Sequence, residues 1–247
     1  RNEETLAIVR KLADRLNREW DREIKLSSYT QHDEALPGAK FVVSAIEVPP
    51  RERLWKSDYE IPLRHGVRQP YAENGGPGGF AHAARNIGPV LKIAKDMENL
   101  CPDAWFINYT NPMVRICDAI HRYSKIKVIG LCHQINAGYG IAGYVLAKDL
   151  GIPVRQRLST FASPEDWQEL RKVTRMALEK VDIKAAGLNH FTFMLSIHLK
   201  ETGEDLYPLL RERFNELEPE FEPLTQRVYH AFGLMPIPGD SHLCEYL

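Results

Sequence analysis

The sequence has almost no excess charge, few cysteines and no long apolar run. Its 247 residues include 32 basic and 33 acidic side chains, which leaves a net charge of −1. A balanced charge provides no electrostatic attraction to nucleic acid or to an anionic membrane surface. The uninterrupted apolar stretches are well short of the roughly 20 residues that a membrane-spanning helix needs. We therefore expect neither a nucleic-acid-binding protein nor a membrane protein, and an enzyme or a binding protein remains.

The cysteines are too few and too far apart to suggest a disulfide framework. They are Cys101, Cys117, Cys132 and Cys244. Disulfide frameworks are typical of small secreted domains with many cysteines, so we expect free thiols and a protein of the reducing cytoplasm. Hydrophobic residues make up 44% of the chain, which is enough for the core of one large domain or two modest ones.

Predicted strands and helices alternate over roughly the first 150 residues. The chain opens with an amphipathic helix, whose apolar positions are Leu6, Val9, Leu12, Leu16 and Trp20. The predicted strands are residues 24–29, 40–46, 104–109 and 127–132, and the predicted helices between them include 80–100, 112–123 and 137–150. This alternation is typical of βαβ units, and it predicts a parallel sheet covered by helices.

A parallel sheet that opens with a helix lacks a first strand. The glycine-rich turn that binds a dinucleotide pyrophosphate follows that strand. The glycine cluster at residues 75–79 follows a loop instead, so we do not interpret it as this turn. We expect the chain to be a fragment whose parallel region, residues 1–153, lacks its first strand.

The alternation of single strands and helices ends before residues 154–247. A helix is predicted over 163–180, followed by two adjacent strands over 181–188 and 191–199 and by two further helical stretches. Adjacent strands after a helix are typical of an α+β arrangement. We therefore expect a second, partial domain here.

Cys132 and His133 stand where the predicted strand 127–132 ends. Ligands of open parallel sheets bind outside the carboxyl ends of the strands. A thiol at this position is a metal ligand, a nucleophile or a small apolar residue of the core. The sequence around it leaves these alternatives open.

His190 ends a second apolar strand, after Gly187. A histidine in this position is often structural, but a thiol at one strand end and an imidazole at another favour a metal site. Two protein ligands would leave coordination positions open for water and substrate. Cys132 and His190 are 58 positions apart, so their spacing does not decide the question.

Two further segments carry polar side chains that could take part in chemistry. Asn108 and Asn111 flank a strand-to-helix turn, where amides could bind a ribose, a nicotinamide or sugar hydroxyls. Asp240 is either an ordinary helix N-cap or a base that removes a proton beside a carbonyl, and Tyr246 could serve as that base if its pKa were lowered.

In combination, these segments resemble glycoside hydrolase family 4, the NAD- and metal-dependent glycosidases that lie outside the paired-carboxylate rule of most glycosidases. The segments that carry the resemblance are residues 75–79 (GGPGG), 101–112 (CPDAWFINYTNP), 130–133 (GLCH), 187–190 (GLNH) and 240–242 (DSH). They span most of the chain, and their specificity lies in their combination.

The resemblance implies a fold and a reaction. The fold is α/β, with a Rossmann-like NAD-binding domain over residues 1–153 and a lactate-dehydrogenase-like α+β substrate domain over 154–247, both incomplete. In such enzymes NAD takes a hydride from carbon 3 of the sugar, and a divalent metal, usually Mn²⁺, polarises the resulting ketone. A base then removes the proton on carbon 2, the glycosidic bond is eliminated, water adds at carbon 1 and the hydride returns.

The resemblance also implies roles for individual residues. Cys132 and His190 match the metal ligands, and His133 matches a position that affects substrate class and leaving-group departure. Asn111 and Asn108 match the substrate and nicotinamide side.

Ser44 and Ile46 would lie near the cofactor. Asp240 aligns with the base of the α-glycosidase branch, with Tyr246 as the second candidate for that role.

His133 favours unphosphorylated substrates among those of the family, namely α-glucosides, α-galactosides or uronides. Gln134 and Ile135 match no subgroup pattern, so the sugar stays open. The resemblance further implies a homodimer or homotetramer that acts on a small-molecule glycoside.

Two other functions are compatible with the same residues. One is an NAD-dependent dehydrogenase of 2-hydroxy acids or sugars, which would need no metal and would give the Cys132–His190 pair no role. The other is a regulatory metal- or nucleotide-binding protein, whose metal site is closed by a further ligand such as His133 or His242.

Overall fold

The computed structural model describes residues 3–69, 71–154 and 164–247. Its first region is built on a parallel sheet of three strands in the order β1-β2-β3, which are β1 (Phe41–Ser44), β2 (Trp105–Asn108) and β3 (Lys127–Gly130). Phe41 lies opposite Trp105, and Trp105 lies opposite Lys127. The carboxyl ends of all three strands therefore meet at one edge, which confirms the predicted parallel sheet.

Helices connect these strands, but they cover one face of the sheet only, because Phe41, Val43 and Trp105 on the other face are exposed. The predicted covering by helices is therefore incomplete. The helices of this region are α1 (Glu3–Glu19), α2 (His32–Ala35), α3 (Arg51–Arg64), α4 (Gly76–Leu100), α5 (Met113–Tyr123) and α6 (Gln134–Val145). Met97 of α4, Phe106 of β2 and Ile116 of α5 are among the fully buried side chains of this region. Their burial against one another holds α4 and α5 on the sheet.

Two local predictions differ from the structure. Residues 24–29 adopt irregular structure rather than a strand, and Ile24 and Tyr29 in this segment are exposed. Helix α1 forms as predicted, but it contains no buried residue. Helix α6 begins at Gln134 rather than at residue 137.

Most of the glycine cluster, residues 76–79, belongs to α4, and Gly75 directly precedes the helix. The helix begins at Gly76, four residues earlier than predicted. A Cβ atom at Gly75 would collide with the carbonyl oxygen of Glu245, and one at Gly78 would collide with Ala72 and Gln69. These glycines therefore permit close packing around the start of the helix.

The second region is an antiparallel hairpin surrounded by helices. Its elements are α7 (Pro164–Lys180), β4 (Val181–Leu188), β5 (Phe191–Leu199), α8 (Tyr207–Asn215), α9 (Pro223–Phe232) and α10 (Asp240–Leu243). The predicted hairpin is confirmed, whereas residue 163, where α7 was predicted to begin, lies outside the described residues.

One apolar core joins α6 to the second region. It includes Ala142 of α6, Ala177 of α7, Met194 and Ile197 of β5 and Leu210 of α8, all with almost no exposed surface. The side chains of α6 thus pack with the hairpin, and the domain boundary predicted at residue 153 stays a prediction. In the part of the chain that the structure describes, no helix combines the length and the apolar character needed to cross a bilayer.

Candidate functional site

Cys132 and His190 come together at the carboxyl end of β3. Cys132 lies two residues after the end of that strand, and His190 lies in the tight turn between β4 and β5. Their Sγ and Nε2 atoms are 3.6 Å apart, although 58 positions separate the two residues in the chain. The predicted convergence of this thiol and this imidazole is confirmed.

The backbone of His190 is held in an unusual conformation. Its φ angle is +63°, in the left-handed region that residues with a side chain seldom adopt. Its N–H donates to Gln134 Oε1 at 2.6 Å, and Gln134 Nε2 donates to Thr192 Oγ1 at 3.0 Å. Gln134 thus connects the start of α6 to both sides of the turn and fixes the position of His190.

Glu245 orients the ring of His190. Its Oε2 atom accepts a hydrogen bond from His190 Nδ1 at 2.7 Å, and its Oε1 atom accepts from the backbone N–H groups of Glu73 and Asn74 at 3.0 and 2.9 Å. The side-chain amide of Asn74 also lies 3.1 Å from His190 Nδ1. A proton on Nδ1 that is bonded to a carboxylate leaves Nε2 directed at Cys132, which is the arrangement found behind many metal-binding histidines.

Cys132 and His190 shift each other's pKa. Burial alone would raise the pKa of Cys132, but the hydrogen bond with His190 lowers it below its ordinary value. Burial alone would lower the pKa of His190, but the bonds with Cys132 and Glu245 raise it to about 9. The geometry therefore favours a thiolate, the form of cysteine that binds metals.

Two further histidines surround this pair. The ring of His242 lies edge-on to that of His190, with centroids 4.2 Å apart, and 5.9 Å from the ring of His133. Burial, together with the positive charges of His190 and His133, lowers the pKa of His242 to about 4, so His242 is neutral at pH 7. His133 and His242 both line a cavity of about 330 Å³ beside the site.

The donor set fits an open cation site. With metal–ligand bonds of about 2.3 Å to sulfur and 2.1 Å to nitrogen, two ligands of one ion lie roughly 3.1–3.6 Å apart, and the observed separation of Cys132 Sγ and His190 Nε2 is 3.6 Å. Among the described residues, no three His, Cys, Asp or Glu side chains form a group that could hold a metal ion. A site closed by His133 or His242 is therefore not formed.

Asn189 lies beside the thiol of Cys132. Its side chain is 4% exposed, and a hydrogen bond from this side chain is one of the contacts that lower the pKa of Cys132. The amide therefore supports the thiolate form of the candidate ligand.

The residues predicted on the cofactor side lie at the ends of β1 and β2. Ser44 Oγ is 3.1 Å from Thr110 Oγ1, which also accepts a hydrogen bond from the N–H of Ile46 at 3.0 Å. The side chain of Asn108 is fully buried and bonds to both backbone groups of Thr110. Asn111 is half-buried after β2, and its carbonyl accepts from Asn86. Most of these polar groups thus bind one another, and their role toward a cofactor or sugar stays a prediction.

The two predicted bases differ in their surroundings. The carboxylate of Asp240 accepts hydrogen bonds from the N–H groups of Leu224 and Thr225 and from Thr225 Oγ1, at 2.7–2.9 Å. Both of its oxygens are therefore used to cap the start of α9, which favours a structural role over that of a base. The hydroxyl of Tyr246 donates to the carbonyl of Asn189 at 3.1 Å, and burial raises its pKa, with the charge of Glu245 adding to the effect.

Glu245, Gln134 and Asn189 take part in the site without having been assigned a role from the sequence. Glu245 stands beside Tyr246 in a polar segment that the sequence does mark, but its partner His190 is 55 positions away. Gln134 directly follows the Cys-His pair, which is a signal of position but not of function.

Comparison with known proteins identifies related glycosidases. A sequence model described as family 4 glycosyl hydrolase matches residues 1–149, and one described as the C-terminal domain of that family matches residues 185–246. The chain is 35% identical over 213 residues to an α-glucosidase of Erwinia rhapontici, a match that covers 86% of the chain and 41% of the relative. It is 33% identical over 248 residues to an α-galactosidase of Bacillus subtilis, which covers 100% of the chain and 50% of the relative.

A solved structure shares the fold. The 6-phospho-β-glucosidase of Thermotoga maritima, determined with manganese, NAD⁺ and glucose-6-phosphate, matches with a TM-score of 0.69 at 24% identity, over 100% of the chain and 50% of that structure. At this identity the likeness shows the fold alone, and it confirms the predicted Rossmann-like α/β class. The chain spans about half the length of the curated relatives it matches.

Proposed function

The chain belongs to family 4 of the glycosyl hydrolases, and we propose that the protein hydrolyses an unphosphorylated α-glycoside with the help of NAD and a divalent metal such as Mn²⁺. The observation that carries this proposal is the 3.6 Å separation of Cys132 Sγ and His190 Nε2 at the edge of the sheet. Two relatives named α-glucosidase and α-galactosidase support the class of substrate. The manganese and NAD⁺ of the Thermotoga maritima structure support the cofactors.

The residues around the pair would hold and orient the cation. Cys132 and His190 would bind it through sulfur and Nε2, and Glu245 would keep the proton of His190 on Nδ1, away from the metal. Bound NAD and metal would supply a reversible oxidation of the sugar and polarise the carbonyl that it creates. Coordination by two protein atoms leaves positions that the sugar oxygens could occupy.

The remaining residues would bind the sugar and move protons. His133 and His242 line the adjoining cavity, where His133 could assist the leaving group. Asp240 and Tyr246 both stay candidates for the proton-transferring group: Asp240 caps α9, and the hydroxyl of Tyr246 bonds the carbonyl of the residue beside His190 but has a raised pKa. We place the cofactor side at the ends of β1 and β2, with Ser44 and Ile46.

We also propose the substrate type, the compartment and the oligomeric state of the enzyme. Its substrate would be a small-molecule glycoside, and it would work in the cytoplasm as a homodimer or homotetramer. All four cysteines are free thiols, which agrees with a reducing compartment.

Release of nitrophenol from a p-nitrophenyl α-glycoside tests the function. We expect the full-length protein to release it when NAD and Mn²⁺ are present and to lose this activity with a chelator. Net formation of NADH without nitrophenol would instead indicate a dehydrogenase.

Replacement of Cys132 tests the observation on which the function rests. Substitution of a residue that hydrogen-bonds to a metal ligand typically lowers metal affinity or activity roughly 10- to 100-fold. Cys132→Ser removes a ligand itself, so its effect should be larger and turnover should be abolished. The matched control is Cys101→Ala, a change at a buried thiol where α4 ends. Full activity of a folded Cys132→Ser protein would contradict the mechanism.

A further inference from the structure

The cavity beside the Cys132–His190 pair has a basic wall that the proposed chemistry does not use. It lies between α6, α7 and α10 and has a volume of about 330 Å³. Its described lining includes Arg171 and Arg175 of α7, but no carboxylate. A cavity with two positive charges and no negative one is suited to an anion.

The basic wall is one face of α7. Trp167, Arg171 and Arg175 follow each other at intervals of four residues, so their side chains lie one above the other on the same side of the helix. Like charges four residues apart repel each other. Neither arginine forms an ion pair with a described residue, whereas Lys172 on another face of the helix pairs with Glu169 at 3.3 Å.

The other walls suit a sugar. A volume of about 330 Å³ is at the small end of the roughly 300–1,000 Å³ of ligand cavities, which indicates one sugar ring rather than a chain of them. Trp167 offers an aromatic side chain and Asn136 an amide, while the hydroxyls of Thr174 and Ser241 already bond Leu170 and His242. The cavity adjoins the candidate metal site through His242, which belongs to its wall and lies against His190.

We propose that this cavity binds a sugar bearing an anionic group, which Arg171 and Arg175 contact. Guanidinium groups bind carboxylates and phosphates through paired, charge-assisted hydrogen bonds. The inference deepens the proposed function and rests on it, since the bound ring would be the one whose glycosidic bond is broken. Among the glycosides considered above, it selects a uronide, and a sugar phosphate is the other source of the same charge.

Binding of free sugars tests the proposal without requiring turnover. Titration calorimetry on the full-length protein would compare three probes: galacturonate, galactose 6-phosphate and neutral galactose. The gluco epimers would be measured in parallel. Since a hydrogen bond to a charged group is stronger than a neutral one, we expect an anionic sugar to bind roughly 10- to 100-fold more tightly than its neutral counterpart.

Substitutions on α7 locate the effect. Arg171→Gln and Arg175→Gln should each remove most of this preference for an anionic sugar while leaving the binding of galactose unchanged. Lys172→Gln is the matched control, because it removes one positive charge from the same helix outside the cavity. Circular dichroism would verify that all three variants fold.

Each outcome has a defined meaning. Tighter binding of galacturonate identifies a uronide. Tighter binding of galactose 6-phosphate identifies a phosphorylated sugar, which would support the anion site and contradict the unphosphorylated substrate proposed above. Equal binding of the neutral sugar, no binding of any probe, or an unchanged preference in both arginine variants would overturn the inference. Nitrophenol release from a neutral α-glycoside would then leave the proposed function standing, whereas anion binding without cleavage of any glycoside would remove the function and leave the anion site.

Discussion

The ends of β1 and β2 differ sharply from the end of β3, although all three lie on one edge of the same sheet. At β1 and β2, the polar groups of Ser44, Asn108 and Thr110 form hydrogen bonds with one another. At β3, the sulfur of Cys132 faces Nε2 of His190 at 3.6 Å, and both atoms can bind a cation. One part of the edge is closed by its own bonds, and the other keeps bonding capacity for a ligand.

The difference separates groups that stabilise the fold from groups that carry chemistry. A neutral hydrogen bond contributes about 0.5–1.5 kcal/mol, and the bonds at β1 and β2 hold neighbouring strand ends together. Burial of a thiolate and an imidazolium costs free energy, which the charged contacts among Cys132, His190 and Glu245 offset. Such an arrangement is expected where a protein trades stability for function.

Among the predictions that test this comparison, the largest effect is expected from Glu245→Gln, at the end of β3. The new amide would present an N–H to His190 Nδ1, so the imidazole proton would move to Nε2, the atom that should bind the metal. We expect a loss of about 10- to 100-fold in the affinity for Mn²⁺, measured by titration calorimetry.

Glu201→Gln, at an exposed position, is the control for the change of charge. Unaltered affinity for Mn²⁺ in a folded Glu245→Gln protein would show that the carboxylate does not act through His190.

A smaller effect, on stability, is expected from Asp240→Ala. The change removes three hydrogen bonds at the start of α9, which should lower the free energy of unfolding by about 2 kcal/mol in urea denaturation. Asp240→Asn should keep the two bonds from Thr225 and lose the one from Leu224, because an amide nitrogen cannot accept it, so its loss of stability should be smaller. If a folded Asp240→Asn protein were inactive, Asp240 would be the base after all.

The smallest effect is expected from Thr110→Val, at the closed part of the edge. The substitution keeps the shape of the side chain and removes the hydroxyl that bonds Ser44 and Ile46. We expect a loss of roughly 1 kcal/mol in the free energy of unfolding. A large fall in the affinity for NAD with unchanged stability would show that this part of the edge serves the cofactor, as the resemblance implies.

Much of the fold follows from local patterns in the sequence. The strands around residues 41–44, 105–108 and 127–130 and the later hairpin were predicted because runs of apolar and β-branched residues alternate with helical periodicity. Residues 24–29 were also predicted as a strand but have irregular structure, and a strand also needs a neighbour to complete its hydrogen bonds. Local composition does not contain that information.

The candidate site was predictable in part for the same reason. Cys132 and His190 are marked by their places at strand ends, and parallel strands bring such ends to one edge. Asp240 is marked equally well, yet both of its oxygens bond to α9. A carboxylate at the start of a helix and a carboxylate that acts as a base look alike in a sequence.

The sequence by itself determined the class of fold, the family and the thiol and imidazole that face each other. Only the tertiary structure brought Glu245 to Nδ1 of His190 and Gln134 to the backbone of the same residue. It also placed Arg171 and Arg175 in the wall of one cavity. Strands and helices are indicated by the spacing of apolar residues along the sequence, which follows the periodicity of each element. Partners such as Glu245 and His190 meet only when separate elements pack, and their hydrogen bonds depend on distances that folding alone creates.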